Sequence, residues 1–242
     1  MLTGHNTKWI KLSAIAGLAG AICWAIGDIL IVGFRINITD YPLIADSAAF
    51  INKELAALMV PGETWRLAAG ALFGAFSLPL KLFALYCVTF LLLPAGRRYA
   101  LTCAAILFAG FAWSPMAHAG FFYLGETVKT ALGADAVDAA RVLALAGTFE
   151  RILMILYIPA VAAENAGWLL VSIAALRGRT MLPRYFGAIT PLPMTMFWAL
   201  VVPLLPASIS TPLQGAQMNL AGIVFYTAVC VFCYRTRKFS VA

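Results

Sequence analysis

Charge is what this chain has least of. Only 11% of its 242 residues are charged, against 63% hydrophobic, and its mean hydropathy is +0.91. A soluble domain is about 25% charged and about 45–50% apolar, so an ordinary water-soluble fold is excluded. Disorder is excluded too, because it needs low hydrophobicity. Histidine is almost missing: there are 2, His5 in the N-terminal tail and His118 in an apolar segment. A histidine-based zinc site or a bis-histidine haem needs more ligands than that, so no metal and no cofactor is expected. No P-loop, G-x-S-x-G or H-E-x-x-H sequence occurs. No basic cluster with interleaved aromatics accompanies the net charge of +7, so nucleic acid is not an expected partner.

The 5 cysteines, Cys23, Cys87, Cys103, Cys230 and Cys233, all lie in apolar segments. None sits in a polar loop, so a disulfide framework is not expected. Cys230 and Cys233 have C-x-x-C spacing but no βαβ context, and read as small apolar filler rather than a redox pair. Long polar stretches are also missing, which leaves a single transmembrane domain over residues 1–242. The expected fold is an all-α polytopic bundle in contact with the lipid bilayer.

A span takes about 20 apolar residues, and six are expected, at about 10–34, 67–93, 100–124, 149–176, 185–205 and 213–234. Lys8 and Lys11 before an apolar run suggest a signal peptide. The run from Ser13 to Phe34 is longer than a typical signal core and reads as a retained first span. Thr148 is a candidate N-cap for the fourth span. With an even number of spans and a cytoplasmic N-terminus, the inner loops and tails hold Lys8, Lys11, Arg97, Arg98, Arg177, Arg179, Arg184, Arg235, Arg237 and Lys238, and no acidic residue. The outer segments mix Arg35, Lys53, Arg66, Lys129, Arg141 and Arg151 with most of the acidic residues. That asymmetry is the positive-inside pattern. It predicts both termini inside, in a bacterial cytoplasmic (inner) membrane.

Two outer segments are long. In the first, Asp46 or Ser47 can cap a helix through Met59 that places Ile51, Leu55, Leu58 and Met59 on one face. In the second, Asp135 can cap a short helix through Ala146. Both are expected to lie flat on the membrane interface, with a cover over an outward-facing cavity as the alternative. Pro191, Pro193 and Pro203 should kink the fifth span. Gly70 and Gly74 form a GxxxG, and Gly17 and Ala21 a small-xxx-small pair. These suit close helix contacts inside the bundle.

Three charged residues stand at membrane depth: Asp28, Lys81 and Glu164. Ionisable groups there cost about 2.5–3.5 kcal/mol on insertion scales and usually face the bundle interior. At about 1.5 Å per residue, Asp28 lies roughly 9 Å below the outer end of its span. His118 and Asn219 lie at similar depth, with Gln217 just above and Arg66 at the mouth of the second span. One outer-leaflet pocket lined by all five is the expectation. Asp28 and His118 would be an acid–base pair or a plain interhelical hydrogen bond, and Arg66 would bind an anionic headgroup. Lys81 and Glu164, at matched depth near the midplane, are expected to form an ion pair. That pair would fix helix register, move protons or touch substrate.

Gly27-Asp28-Ile29-Leu30, Trp65-Arg66-Leu67-Ala68-Ala69-Gly70, Ala117-His118-Ala119 with Phe121-Phe122, Leu182-Pro183-Arg184-Tyr185 and Met218-Asn219-Leu220 occur in this order. Together they resemble an uncharacterised family of small bacterial six-helix integral membrane proteins. The resemblance runs from the first span to the last. It implies an architecture and no activity, and marks Asp28, Arg66, His118, Arg184 and Asn219 as motif positions. Gly27-Asp28 alone also resembles the lysoplasmalogenase-type membrane hydrolases. Three functions stay open: a hydrolase or isomerase acting on a lipid or small amphiphile, a proton-coupled transporter of a small molecule, and a structural or assembly partner.

Overall fold

The structure, a computed structural model, describes residues 4–236, with side chains from residue 7 onward apart from that of residue 48. Arg237, Lys238 and the side chain of His5 lie outside the described residues. Among the described residues the fold is all-helical. Helix α1 (Gly4–Val32) runs away from the termini. A loop segment follows, with the single turn α2 (Pro42–Ala45) and the short α3 (Lys53–Met59). The chain returns through α4 (Thr64–Phe76) and α5 (Leu78–Leu92), which part at Ser77. Pro79 has no N–H to continue the ladder, and the Ser77 hydroxyl turns back to the Phe73 carbonyl, 2.5 Å away.

Helices α6 (Arg97–Leu132) and α7 (Ala136–Leu176) have 36 and 41 residues. At about 1.5 Å per residue these are roughly 54 and 62 Å long, well beyond a hydrocarbon core of about 30 Å. They form one hairpin that reaches past the bilayer, closed by Gly133–Asp135. Asp135 does cap α7, accepting from the Val137 and Asp138 amides. The helix does not stop at Ala146, however, and Thr148 is not a cap. Its hydroxyl donates to the Ala144 carbonyl at 3.2 Å, in mid-helix. Nothing between Ala136 and Phe149 breaks a helix, and Gly147 alone costs only about 1 kcal/mol. Asp135→Ala should cost about 1 kcal/mol, read as faster amide exchange over residues 136–139 with the membrane-depth helices unaffected.

Among the described residues, five helical stretches are long and apolar enough to cross a membrane: Thr7–Val32, Thr64–Ala95, Arg97–Leu132, Ala136–Leu176 and Ala207–Arg235. The expected fifth span over 185–205 is not one of them. It divides into a single turn, α8 (Phe186–Ile189), and α9 (Pro191–Val201), separated by an extended Thr190. Proline forces the residue before it out of the helical region. The apolar helical stretch Pro191–Leu204 is shorter than the other five, and it carries the chain from the end where α7 stops toward the end where the last helix starts. Helix α10 (Ala207–Arg235) then runs back antiparallel to α1, so the two termini share one end.

The outside of the bundle is apolar. Leu12, Ile15, Ile22 and Ile26 of α1 and Ile152, Ile155 and Ile158 of α7 all face outward. This is the arrangement a bilayer requires, and the chain is a membrane protein. Helices α1 and α4 meet at Gly27 and Gly70, where a Cβ on either glycine would stand within 2.9 Å of the other's carbonyl oxygen. The GxxxG of α4 is thus a contact inside the bundle. The apolar interior falls into two blocks, one built around Trp168, Phe225 and Tyr226 toward the termini, the other around Ile44, Met59 and Leu67 toward the loop end. Lys81, His118, Glu164 and Asn219 are buried between these blocks.

Candidate functional site

Four helices and one loop segment enclose a cavity of about 470 Å³. Helices α1 and α10 form one wall and α6 and α7 the other. Each pair packs closely within itself, with far fewer close backbone approaches across the cleft. Toward the termini the cleft is shut by Trp168 of α7 against Phe225 and Tyr226 of α10, ring centroids 5.2 and 6.2 Å away. Toward the loop end Leu55 and Leu58 of α3 line the cavity. The amphipathic segment therefore roofs the cavity instead of merely lying on the interface. Its position is held at three points. The Asn52 side chain caps α3, the Asn52 amide donates to Glu150 Oε2 at 2.8 Å, and Arg35 pairs with Glu54.

Asp28, His118 and Asn219 all line this cavity. Asn219 Nδ2 donates to Asp28 Oδ2 at 2.7 Å. The other carboxylate oxygen, Oδ1, lies 3.9 Å from His118 Nδ1. That nitrogen is buried and has no hydrogen-bond partner among the described residues. His118 is 7% exposed and its ring is fixed by neighbours. Trp24 meets it edge-on at 5.7 Å, and Gly74 of α4 lies flat against it, its hypothetical Cβ only 2.7 Å from Nδ1. Gly74 also accepts the Trp24 indole N–H through its carbonyl at 3.0 Å.

Glu164 joins the same cavity, so the two sites expected at different depths merge. Its Oε1 lies 3.1 Å from the Ser114 hydroxyl, which is also 3.2 Å from the Gly110 carbonyl. Lys81 does not form the expected ion pair: no carboxylate oxygen lies within 4.0 Å of its amine among the described residues. The chain of Lys81, 3% exposed, passes Gly20 and delivers Nζ onto the ring faces of Trp24 and Phe111, at 4.4 and 4.7 Å. Matched depth did not make them neighbours, because the rings of Trp24 and Phe111 take the cation first.

Arg66 and Gln217 do not line the cavity. The Arg66 guanidinium is buried against the Phe34 ring, 4.2 Å from its centroid, beside Gly62. It is therefore not placed to grip a headgroup in the cleft, and Gln214, one turn from Gln217, lines the wall in its stead. Arg184 lies at the opposite end of the bundle, beside Gly178.

The residues that sequence reasoning passed over are Trp24, Ser114 and Tyr157. Trp24 is four residues from Asp28, and Ser114 is four residues from His118. Each pair shares a helix face, which was the signal available. Tyr157, two turns before Glu164, lines the cavity and packs edge-on against Phe121 at 5.4 Å. Pro115 and Pro159 each leave one carbonyl of the wall, at Phe111 and Ile155, without its helical donor.

A sequence family of unknown function, DUF6796, matches residues 5–236, nearly the whole chain. The chain belongs to that family. The match covers every helix that builds the cleft and agrees with the expected uncharacterised membrane family. No curated protein and no solved structure matches the chain.

Proposed function

We propose that this family member is a multi-pass protein of the bacterial cytoplasmic membrane that binds a lipid or small amphiphile in the cleft and carries out proton-transfer chemistry on it, as a hydrolase or isomerase. Lys8, Lys11, Arg97, Arg98, Arg177, Arg179, Arg184 and Arg235 stand at the end bearing the termini, which supports termini inside and a cleft open outward. The observation that carries the reading is His118 Nδ1, buried without a partner on the cavity wall, 3.9 Å from Asp28 Oδ1. An orphaned buried ring nitrogen costs free energy, and such exceptions ask for an explanation. Here a movement of about 1 Å, or one bridging water, completes the contact, as catalytic hydrogen bonds tighten once substrate arrives.

His118 then acts as the base. In hydrolysis it takes a proton from the attacking water and returns it to the leaving oxygen. In isomerisation it takes the proton from one carbon and returns it to another. Asp28, oriented by Asn219, holds the ring and its transient positive charge. The Gly27-Asp28 likeness to lysoplasmalogenase-type hydrolases favours hydrolysis. The test is lipid mass spectrometry on protein reconstituted with ester-, ether- and vinyl-ether-linked ethanolamine lipids and their lyso forms. Asp28→Asn and His118→Gln should each lower turnover by about 10²-fold or more with insertion intact. Full turnover in both variants would end the acid–base assignment.

A second reading, a proton-coupled carrier, draws on the buried Lys81 and Glu164 and on the helix breaks at Ser77 and Thr190. It expects solute uptake that collapses with an uncoupler and is lost in Lys81→Ala. Neither turnover nor uptake would leave the structural role.

A further inference from the structure

We infer that the polar end of the bound amphiphile is a cation: an ammonium group held between Asp28 and Glu164 among aromatic side chains. This deepens the amphiphile reading and rests on it.

The residues lining the cavity include three acidic ones, Asp28, Glu54 and Glu164, and one basic one, Arg35. Arg35 and Glu54 satisfy each other at the roof. Deep in the cleft this leaves two carboxylates. The one cation buried beside them among the described residues, Lys81, does not line the cavity, its Nζ being turned onto the faces of Trp24 and Phe111. Arg66, the other buried cation, does not line the cavity: its guanidinium lies over the Phe34 ring, and its three nitrogens have no hydrogen-bond partner among the described residues. Asp28 and Glu164 thus share the cavity with no cation lining it between them among the described residues. A carboxylate is costly to ionise away from water unless paired, and a monovalent cation held between the two would pair with both.

The lining identifies what kind of cation. The aromatic residues Trp24, Phe121 and Tyr157 line the cavity, and aromatic surroundings favour organic ammonium groups. Ile31, Leu58, Met154 and Val161 give it apolar walls, which suit an alkyl or aryl tail. A bare metal ion would instead need about six oxygen ligands, and here Asn219 turns its amide N–H to Asp28 rather than an oxygen to the cavity. A phosphate or sulfate headgroup would meet two carboxylates and no free cation.

Two probes with the same tail decide it: octyltrimethylammonium and octyl sulfate, each below its micelle concentration, titrated into the full-length protein in nanodiscs with empty nanodiscs subtracted. Trp24 in the wall makes indole fluorescence a readout alongside calorimetry. The ammonium should bind saturably and at least tenfold more tightly than the sulfate, a comparison that needs no variant. Asp28→Asn and Glu164→Gln should each weaken ammonium binding about tenfold, and Glu126→Gln, outside the cavity, should leave it unchanged. His118→Gln should bind the ammonium within threefold of the parent while losing lipid turnover, which separates this inference from the catalytic one. Equal or tighter sulfate binding, no saturable binding of either probe, or ammonium binding that survives removal of both carboxylates overturns the cationic assignment. Ammonium binding with no turnover of any amine lipid leaves it standing and overturns the acid–base reading.

Discussion

The Lys81→Met protein should be about 3 kcal/mol less stable than the parent, and the double variant Lys81→Met/Glu164→Gln should recover most of that loss. Lys81 touches no carboxylate within 4.0 Å, so a contact count would assign it little. Its charge is nevertheless buried on the rings of Trp24 and Phe111, and Trp24 lines the same cavity as Asp28 and Glu164. Removing one member of a buried charged set leaves the others uncompensated, at a cost of about 3–5 kcal/mol. Removing two opposite charges together restores the balance, and a double-mutant cycle isolates the coupling. Equilibrium unfolding in mixed micelles measures it. A Lys81→Met protein as stable as the parent would show that the carboxylates need no buried counter-charge, and would weaken the pairing argument for a cationic ligand.

Gly74→Ala should lower turnover by about 10²-fold and stability by about 1–3 kcal/mol, though residue 74 never touches a substrate. A Cβ there would overlap the imidazole of His118, and the same residue anchors Trp24 through its carbonyl. The ring cannot retreat far, because Trp24 stands against it. It must leave its present position, 3.9 Å from Asp28 Oδ1. A displacement of about 1 Å at a catalytic group is enough for the rate loss. Ammonium binding, which depends on Asp28 and Glu164, should fall much less than turnover. If Gly74→Ala turned over lipid at the parent rate, the observed orientation of His118 would not be the reactive one.

How much of this was legible beforehand varied from residue to residue. The polar depth of Asp28, His118 and Asn219 followed from their distance along each span, and the structure sets all three on one cavity. Glu164 was placed in a separate midplane pair because depth was the only coordinate available. Gly110, opposite it on α6, lets the two helices approach and brings Glu164 up beside Ser114. Arg66 was drawn to the same mouth by its position along α4, but its azimuth carries it under Phe34 instead. The segment 185–205 is broken by local chemistry that was readable: Pro191 forces an extended Thr190. The α6–α7 hairpin ran longer than expected because hydropathy marks where a membrane ends and says nothing about where a helix does.

The scarcity of charge, by itself, determined the solvent of this protein. With so little polarity, only backbone-satisfied helices in lipid remain, and the distribution of basic residues sets their expected direction. It also ranked the few polar residues by depth, because the rise per residue is a property of the backbone alone. Rotation about each helix axis, and which helix neighbours which, depend on how small residues such as Gly27, Gly70, Gly74 and Gly110 interlock with surfaces far away in the chain. Only the tertiary structure decided those. They made one cavity out of two expected sites, turned Lys81 onto aromatic rings rather than onto Glu164, and left Asp28 and Glu164 lining a cavity that Lys81 does not reach.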